Sequence, residues 1–184
     1  PRIGITIGDA AGIGPEIVLR SVADRSIRET CVPVMIGDAA LLQRVARSYG
    51  LEIPEYAVVE DLANLPVDVQ YGVESAVCGR AAGECIERAV EMWKNGQIDA
   101  IATAPISKRS LSLGGYEFPG HTEFLASLTG TEEFAMSFFG GNLRVVLIST
   151  HVPLRRAIEL VKTAPLVKLI RFADAQFSQL LKKR

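Results

Sequence analysis

Ile3-Gly4-Ile5-Thr6-Ile7-Gly8-Asp9-Ala10-Ala11-Gly12-Ile13-Gly14-Pro15-Glu16 passes from a short apolar run into a glycine-rich turn and then into a run of helical character. Ile3 to Ile7 reads as a buried strand. Gly14-Pro15-Glu16 opens a helix through Val22, since proline suits a first helical turn, where its missing N–H would have had no partner. A strand, a tight turn and a helix in that order are the opening unit of an α/β fold. Free backbone N–H groups at such a helix start can receive an anion. A Walker A loop is excluded, because no Gly-Lys-Ser/Thr follows. A dinucleotide fingerprint is incomplete: Gly12-Ile13-Gly14 follows a strand and Asp38 ends the next one, but the third glycine position is Ile17. A tight structural turn and a ligand-facing loop both remain open here.

The same alternation continues outward. Cys31 to Ile36 reads as a second strand, and Asp38 caps a helix with Leu41, Leu42, Val45 and Ala46 on one face. Pro54 to Tyr71 is less regular, with short β-like pieces. Ala81 to Asn95 is a helix with Ile86, Ala89, Val90 and Trp93 at helical spacing and Gly96 beyond its end. Ile98 to Thr103 follows as a strand, and His121 to Leu128 as a short helix. Phe134–Phe139 and Leu143–Ser149 are joined by Gly140-Gly141-Asn142 as a hairpin. Pro165–Lys182 is a helix whose apolar stripe, from Leu166 to Leu181, has nothing after it to cover it. The fold class expected is α/β: a mostly parallel sheet flanked by helices.

Among 184 residues, 48% come from the AVILMFWYC set and 22% are charged, with 20 Lys+Arg against 21 Asp+Glu. That balance suits a buried globular core and argues against a dedicated nucleic-acid binder, which shows a basic face. No apolar run reaches the roughly 18 residues of a membrane span. The N-terminus lacks the layout of a signal peptide, so the compartment expected is the cytoplasm. Cys31, Cys78 and Cys85 form no C-x-x-C, and the last two, seven apart, fit one helix face as small core residues.

Three further stretches carry chemistry. Thr103-Ala104-Pro105-Ile106-Ser107-Lys108 follows a strand, where open α/β sheets collect ligands; Lys108 is either a point charge for an anion or an exposed lysine at a helix start. The two histidines, His121 and His151, stand beside loop punctuation. An imidazole at a strand's carboxyl end suits a metal ligand or a general base. One histidine does not hold a metal, and no H-x-x-x-H or nearby acidic pair completes a set around His151.

Four stretches together resemble the PdxA family, the 4-hydroxythreonine-4-phosphate dehydrogenases of pyridoxal phosphate (vitamin B6) biosynthesis. They are Gly8–Glu16, Asp99–Lys108, Pro119-Gly120-His121-Thr122-Glu123-Phe124 and Thr150-His151-Val152-Pro153-Leu154, with Ala10 where the family usually has proline. The resemblance implies a fold of the isocitrate and isopropylmalate dehydrogenase type. Residues 1–133 would form most of a first α/β domain, and residues 134–184 the start of a second, dimerisation and metal-site domain. It also implies NAD(P) and a divalent metal (Zn2+, Mg2+ or Co2+) shared between the subunits of a homodimer. His151 would be one of three histidine ligands, and His121 and Thr122 would bind a phosphorylated substrate. Lys108, Asp9 and Glu16 are further candidates near the cleft. The activity implied is oxidation of 4-phosphohydroxy-L-threonine to a β-keto acid that decarboxylates. Alternatives are a 4-phospho-erythronate or threonate dehydrogenase, or a truncated, non-catalytic remnant, since family members run to roughly twice this length and the expectation is that the second half is missing.

Overall fold

The computed structural model describes residues 1–150 and 152–181. They fall into two compact units, Pro1–Thr131 and Glu132–Arg184.

The first unit alternates strand and helix: β1 (Arg2–Thr6), α1 (Gly14–Ala23), α2 (Arg25–Thr30), β2 (Val32–Gly37), α3 (Ala39–Tyr49), β3 (Val58–Asp61), α4 (Ala76–Lys94), β4 (Ala100–Thr103), α5 (Lys108–Leu113) and α6 (His121–Thr129). The sheet order is β3-β2-β1-β4, and every pairing is parallel. The expected α/β fold with a parallel sheet and flanking helices is therefore met. From β1 the chain steps outward through β2 to β3, then returns by α4 to place β4 on β1's other side. Strand order thus reverses between β1 and β4. Open parallel sheets bind ligands beyond the carboxyl ends at such a reversal.

Local chemistry sets the element ends. Asp38 caps α3 by accepting from the Leu41 N–H at 2.7 Å, and Gly50 closes it at φ 61°. Ser75 caps α4 through the Cys78 N–H. The core joins Leu19, Val22, Met35, Ile36, Leu41 and Leu42, all fully buried, with Cys78, Cys85 and Met92 of α4. Both cysteines are thus small core residues, and burial pushes the Cys85 thiol up to about 12, far from a reactive thiolate. One phase differs from expectation: Trp93 is 44% exposed, and Met92 takes the buried place. Helix α4 also starts five residues earlier than its apolar spacing implies, and α2 stands where no helix was expected.

The second unit pairs β5 (Ser137–Gly140) with β6 (Leu143–Val146) in antiparallel register, and adds α7 (Leu154–Leu160) and α8 (Thr163–Leu181). Gly140 faces Leu143, so Gly141 (φ 55°) and Asn142 form the two-residue turn of a hairpin. Both strands are shorter than their apolar runs. Phe177 of α8 meets Phe139 edge-on, with ring centroids 5.4 Å apart. Leu169, Ala173 and Phe177 are half-buried, but Leu166, Ile170, Leu180 and Leu181 stay exposed. No described residue of this unit is buried.

Candidate functional site at the carboxyl ends of two parallel strands

The β1–α1 and β4–α5 loops are locked together at the strand reversal. Gly8 sits at φ 71°, and a Cβ on it would lie 2.2 Å from the Pro105 carbonyl oxygen, so only glycine fits. The next amide, of Asp9, donates to that same carbonyl at 2.9 Å, and Ala104 N–H donates to the Thr6 carbonyl at 3.1 Å. Asp9 Oδ1 accepts from the Ala11 N–H at 3.1 Å, which folds the carboxylate back over its own turn. Burial holds the Asp9 carboxyl above its usual range; the Ala11 N–H opposes this in part, and the Glu74 carboxylate adds to it.

The third segment arrives with α6. Gly120 offers no side chain to cap this nine-residue helix, whose first two residues are His121 and Thr122. Thr122 is exposed and His121 half-buried. Burial lowers the His121 pKa below its ordinary value, opposed by the Ala104 backbone, so the ring is neutral at pH 7. Its Nε2 is buried and has no hydrogen-bond partner within the protein. Buried polar atoms without partners are rare, and this one belongs to the first residue of a helix that no side chain caps.

Lys108 is the exposed first residue of α5, directly after its cap, Ser107, whose Oγ accepts from the Ser110 N–H at 3.1 Å. Asp9, Lys108 and His121 thus come from three loops that meet about Ala104-Pro105. Glu16 is engaged elsewhere: it pairs with Arg20 one helical turn on at 2.7 Å, and accepts from the Tyr49 hydroxyl, raising the pKa of that phenol. It ties α1 to α3. Glu74, which nothing in its irregular stretch singled out, binds Ser107 and Arg109. Its partners lie some 33 residues on, so no local pattern exposes it.

The β1–α1 turn is packed rather than open. A Cβ at Gly14 would lie 2.2 Å from the Ile7 carbonyl oxygen, so this glycine serves close helix–strand packing. With Pro15 lacking an N–H and Ile17 at the third glycine position, the turn does not fit a dinucleotide pyrophosphate. His151 lies outside the described residues. Among the described residues, no three His, Cys, Asp or Glu side chains gather to hold a metal ion.

Residues 29–184 match the family model described as "Pyridoxal phosphate biosynthetic protein PdxA". The chain belongs to the PdxA family. A PdxA relative from Cupriavidus necator, named D-threonate 4-phosphate dehydrogenase, is 43% identical over 176 residues, covering 88% of this chain and 53% of its own length. The crystal structure of a 4-hydroxythreonine-4-phosphate dehydrogenase from Burkholderia phymatum superposes with a TM-score of 0.88 at 40% identity, over 95% of this chain and 57% of that one. The Klebsiella pneumoniae protein of the same name gives 0.84 at 33% identity, over 95% and 57%. The chain therefore spans a little over half the length of the PdxA proteins it matches.

Proposed function

We propose that this chain forms the substrate-gripping part of a dehydrogenase that oxidises a 4-phosphorylated hydroxy acid, using NAD(P) and a divalent metal in a cytoplasmic homodimer. The observation that carries this reading is the partnerless, buried Nε2 of His121 at an uncapped helix start, beside the β1/β4 reversal. The first-turn N–H groups of α6 and the Thr122 hydroxyl can take a phosphate or carboxylate, and Lys108 adds a positive point charge. With its one N–H turned to the Ala104 carbonyl, the neutral His121 ring leaves Nε2 as an acceptor, able to take a hydrogen bond from the reacting hydroxyl. Asp9 is already turned onto Ala11, and Glu16 serves α1–α3 packing.

NAD(P) is not assigned to any residue of this chain, because the β1–α1 turn does not fit its pyrophosphate. The metal belongs with His151 and ligands shared across the dimer, the second unit from about residue 134 being the dimerisation domain. Of the two substrates, 4-phosphohydroxy-L-threonine and D-threonate 4-phosphate, the latter is favoured by the name of the Cupriavidus relative.

Titration calorimetry with both compounds tests the reading. The chain should bind at least one with saturation, and His121→Asn should weaken that binding by about tenfold, the loss of one hydrogen bond from the substrate hydroxyl. Unchanged affinity in His121→Asn would remove His121 from the site. Reduction of NAD+ by the same chain extended to family length, with each substrate, decides the activity.

A further inference from the structure

We infer that Glu74 is a positioning residue for Lys108: it grips the residues on either side of Lys108 and so fixes where the ammonium group can reach. The inference rests on the phosphorylated-acid reading above.

Glu74 lies just before α4 and uses both carboxylate oxygens. Oε1 accepts from the Ser107 hydroxyl at 2.9 Å, and Oε2 pairs with an Arg109 guanidinium nitrogen at 3.5 Å. Lys108 stands between these two anchors and has no ion pair of its own among the described residues. The grip is reinforced on the backbone. Ser107 Oγ, held by Glu74, accepts from the Ser110 N–H, and Ser110 Oγ in turn accepts from the Ser75 N–H at 3.3 Å. The starts of α4 and α5 are therefore stapled in two adjacent places.

Stability alone does not account for this arrangement. Glu74 is 45% and Arg109 77% exposed in their side chains, and pairs so wetted contribute little to stability. Placing a second carboxylate near Asp9 also has an electrostatic cost, since after burial it adds to the rise of the Asp9 pKa. What the contacts do achieve is restriction. A six-residue helix preceded by Pro105 and followed by Gly114 has little cooperativity to hold its first turn. Fixing the residues before and after Lys108 narrows the volume its flexible stem sweeps, and so lowers the ordering cost when the ammonium meets an anion.

The test is a double-mutant cycle on the full chain, read as calorimetric affinity for D-threonate 4-phosphate, with inorganic phosphate as the second probe. Glu74→Ala should weaken binding about threefold to tenfold while leaving the thermal midpoint nearly unchanged. In a Lys108→Ala background the same change should do almost nothing, because a positioning residue has no effect without the group it positions. Glu74→Gln, which keeps the acceptor for Ser107 and loses the Arg109 pair, should fall between, and it carries the cycle if the alanine variant does not fold. Equal losses in both backgrounds, or no loss in either, would overturn the role of Glu74 while the wild-type binding stood. A wild-type chain that binds neither probe would instead bring down the reading beneath, and the role of Glu74 with it.

Discussion

His121 makes folding depend on pH in a direction that its burial dictates. Its pKa is lower in the folded protein than in the unfolded chain, where it is about 6.5. Above that value the ring is neutral in both states and the native state bears no penalty. As pH falls below it, the unfolded chain takes up a proton that the native state resists, so stability drops, and the drop levels off below the folded pKa. Urea unfolding between about pH 5 and pH 7.5 should therefore show a slope that His121→Gln loses. An identical slope in the variant would mean that other groups carry it. Ala63 offers a second single-residue test. It holds φ 46° in the turn after β3, where its N–H donates to Asp61 Oδ1 at 3.0 Å. An L side chain pays roughly 1 kcal/mol for this conformation. Ala63→Gly should raise stability by up to about 1 kcal/mol, net of the greater freedom glycine has when unfolded. A lower melting temperature would count against strain there.

Helix α4 shows how much of the elements can be read in advance and where reading stops. Its apolar residues from Ile86 onward mark it plainly, and so do the capping Asp38 of α3 and the glycine turn of the hairpin. Its first turns were hidden because Gly79 and Gly83 weaken any helix signal. The structure gives those glycines a reason. A Cβ on Gly79 would lie 1.6 Å from the Ser110 carbonyl oxygen, and one on Gly83 would lie 2.0 Å from the Tyr116 ring. Helix α5 showed only as a possible start at Lys108 for the complementary reason: six residues hold no period, and α5 exists because α4 packs on it. The same holds for the site. His121 and Lys108 stand in motifs, but the orphaned Nε2 and the Glu74 grip arise only from tertiary contact. Gly79→Ala weighs the two effects directly. Helix propensity favours alanine by about 1 kcal/mol, while the backbone clash costs about 3 kcal/mol or more. The variant should be destabilised by about 2 kcal/mol or more in chemical denaturation. A neutral or stabilised variant would mean that α5 moves away at little cost.

At the scale of the whole molecule, the two units differ in what holds them. The first has two buried apolar clusters, one with Leu19, Met35, Ile36, Leu41 and Leu42 and the other with Ile86, Leu111 and Phe124. The second buries none of its described residues, although Phe134, Phe138, Phe139, Leu143, Leu154, Ile158 and Ile170 are all more than half exposed. Full burial of such side chains contributes roughly 1.5–3 kcal/mol each, and none of these seven receives it. Two outcomes follow for the chain in solution. Limited proteolysis should cut first within residues 132–181 and leave a resistant fragment of about the length of Pro1–Thr131. Raising the protein concentration should slow that cutting, because a second copy is the apolar surface most at hand, and sedimentation should show mass above that of one chain. A monodisperse monomer whose second unit resists protease as well as its first would contradict this, and would require packing of residues 132–181 that their exposure does not contain.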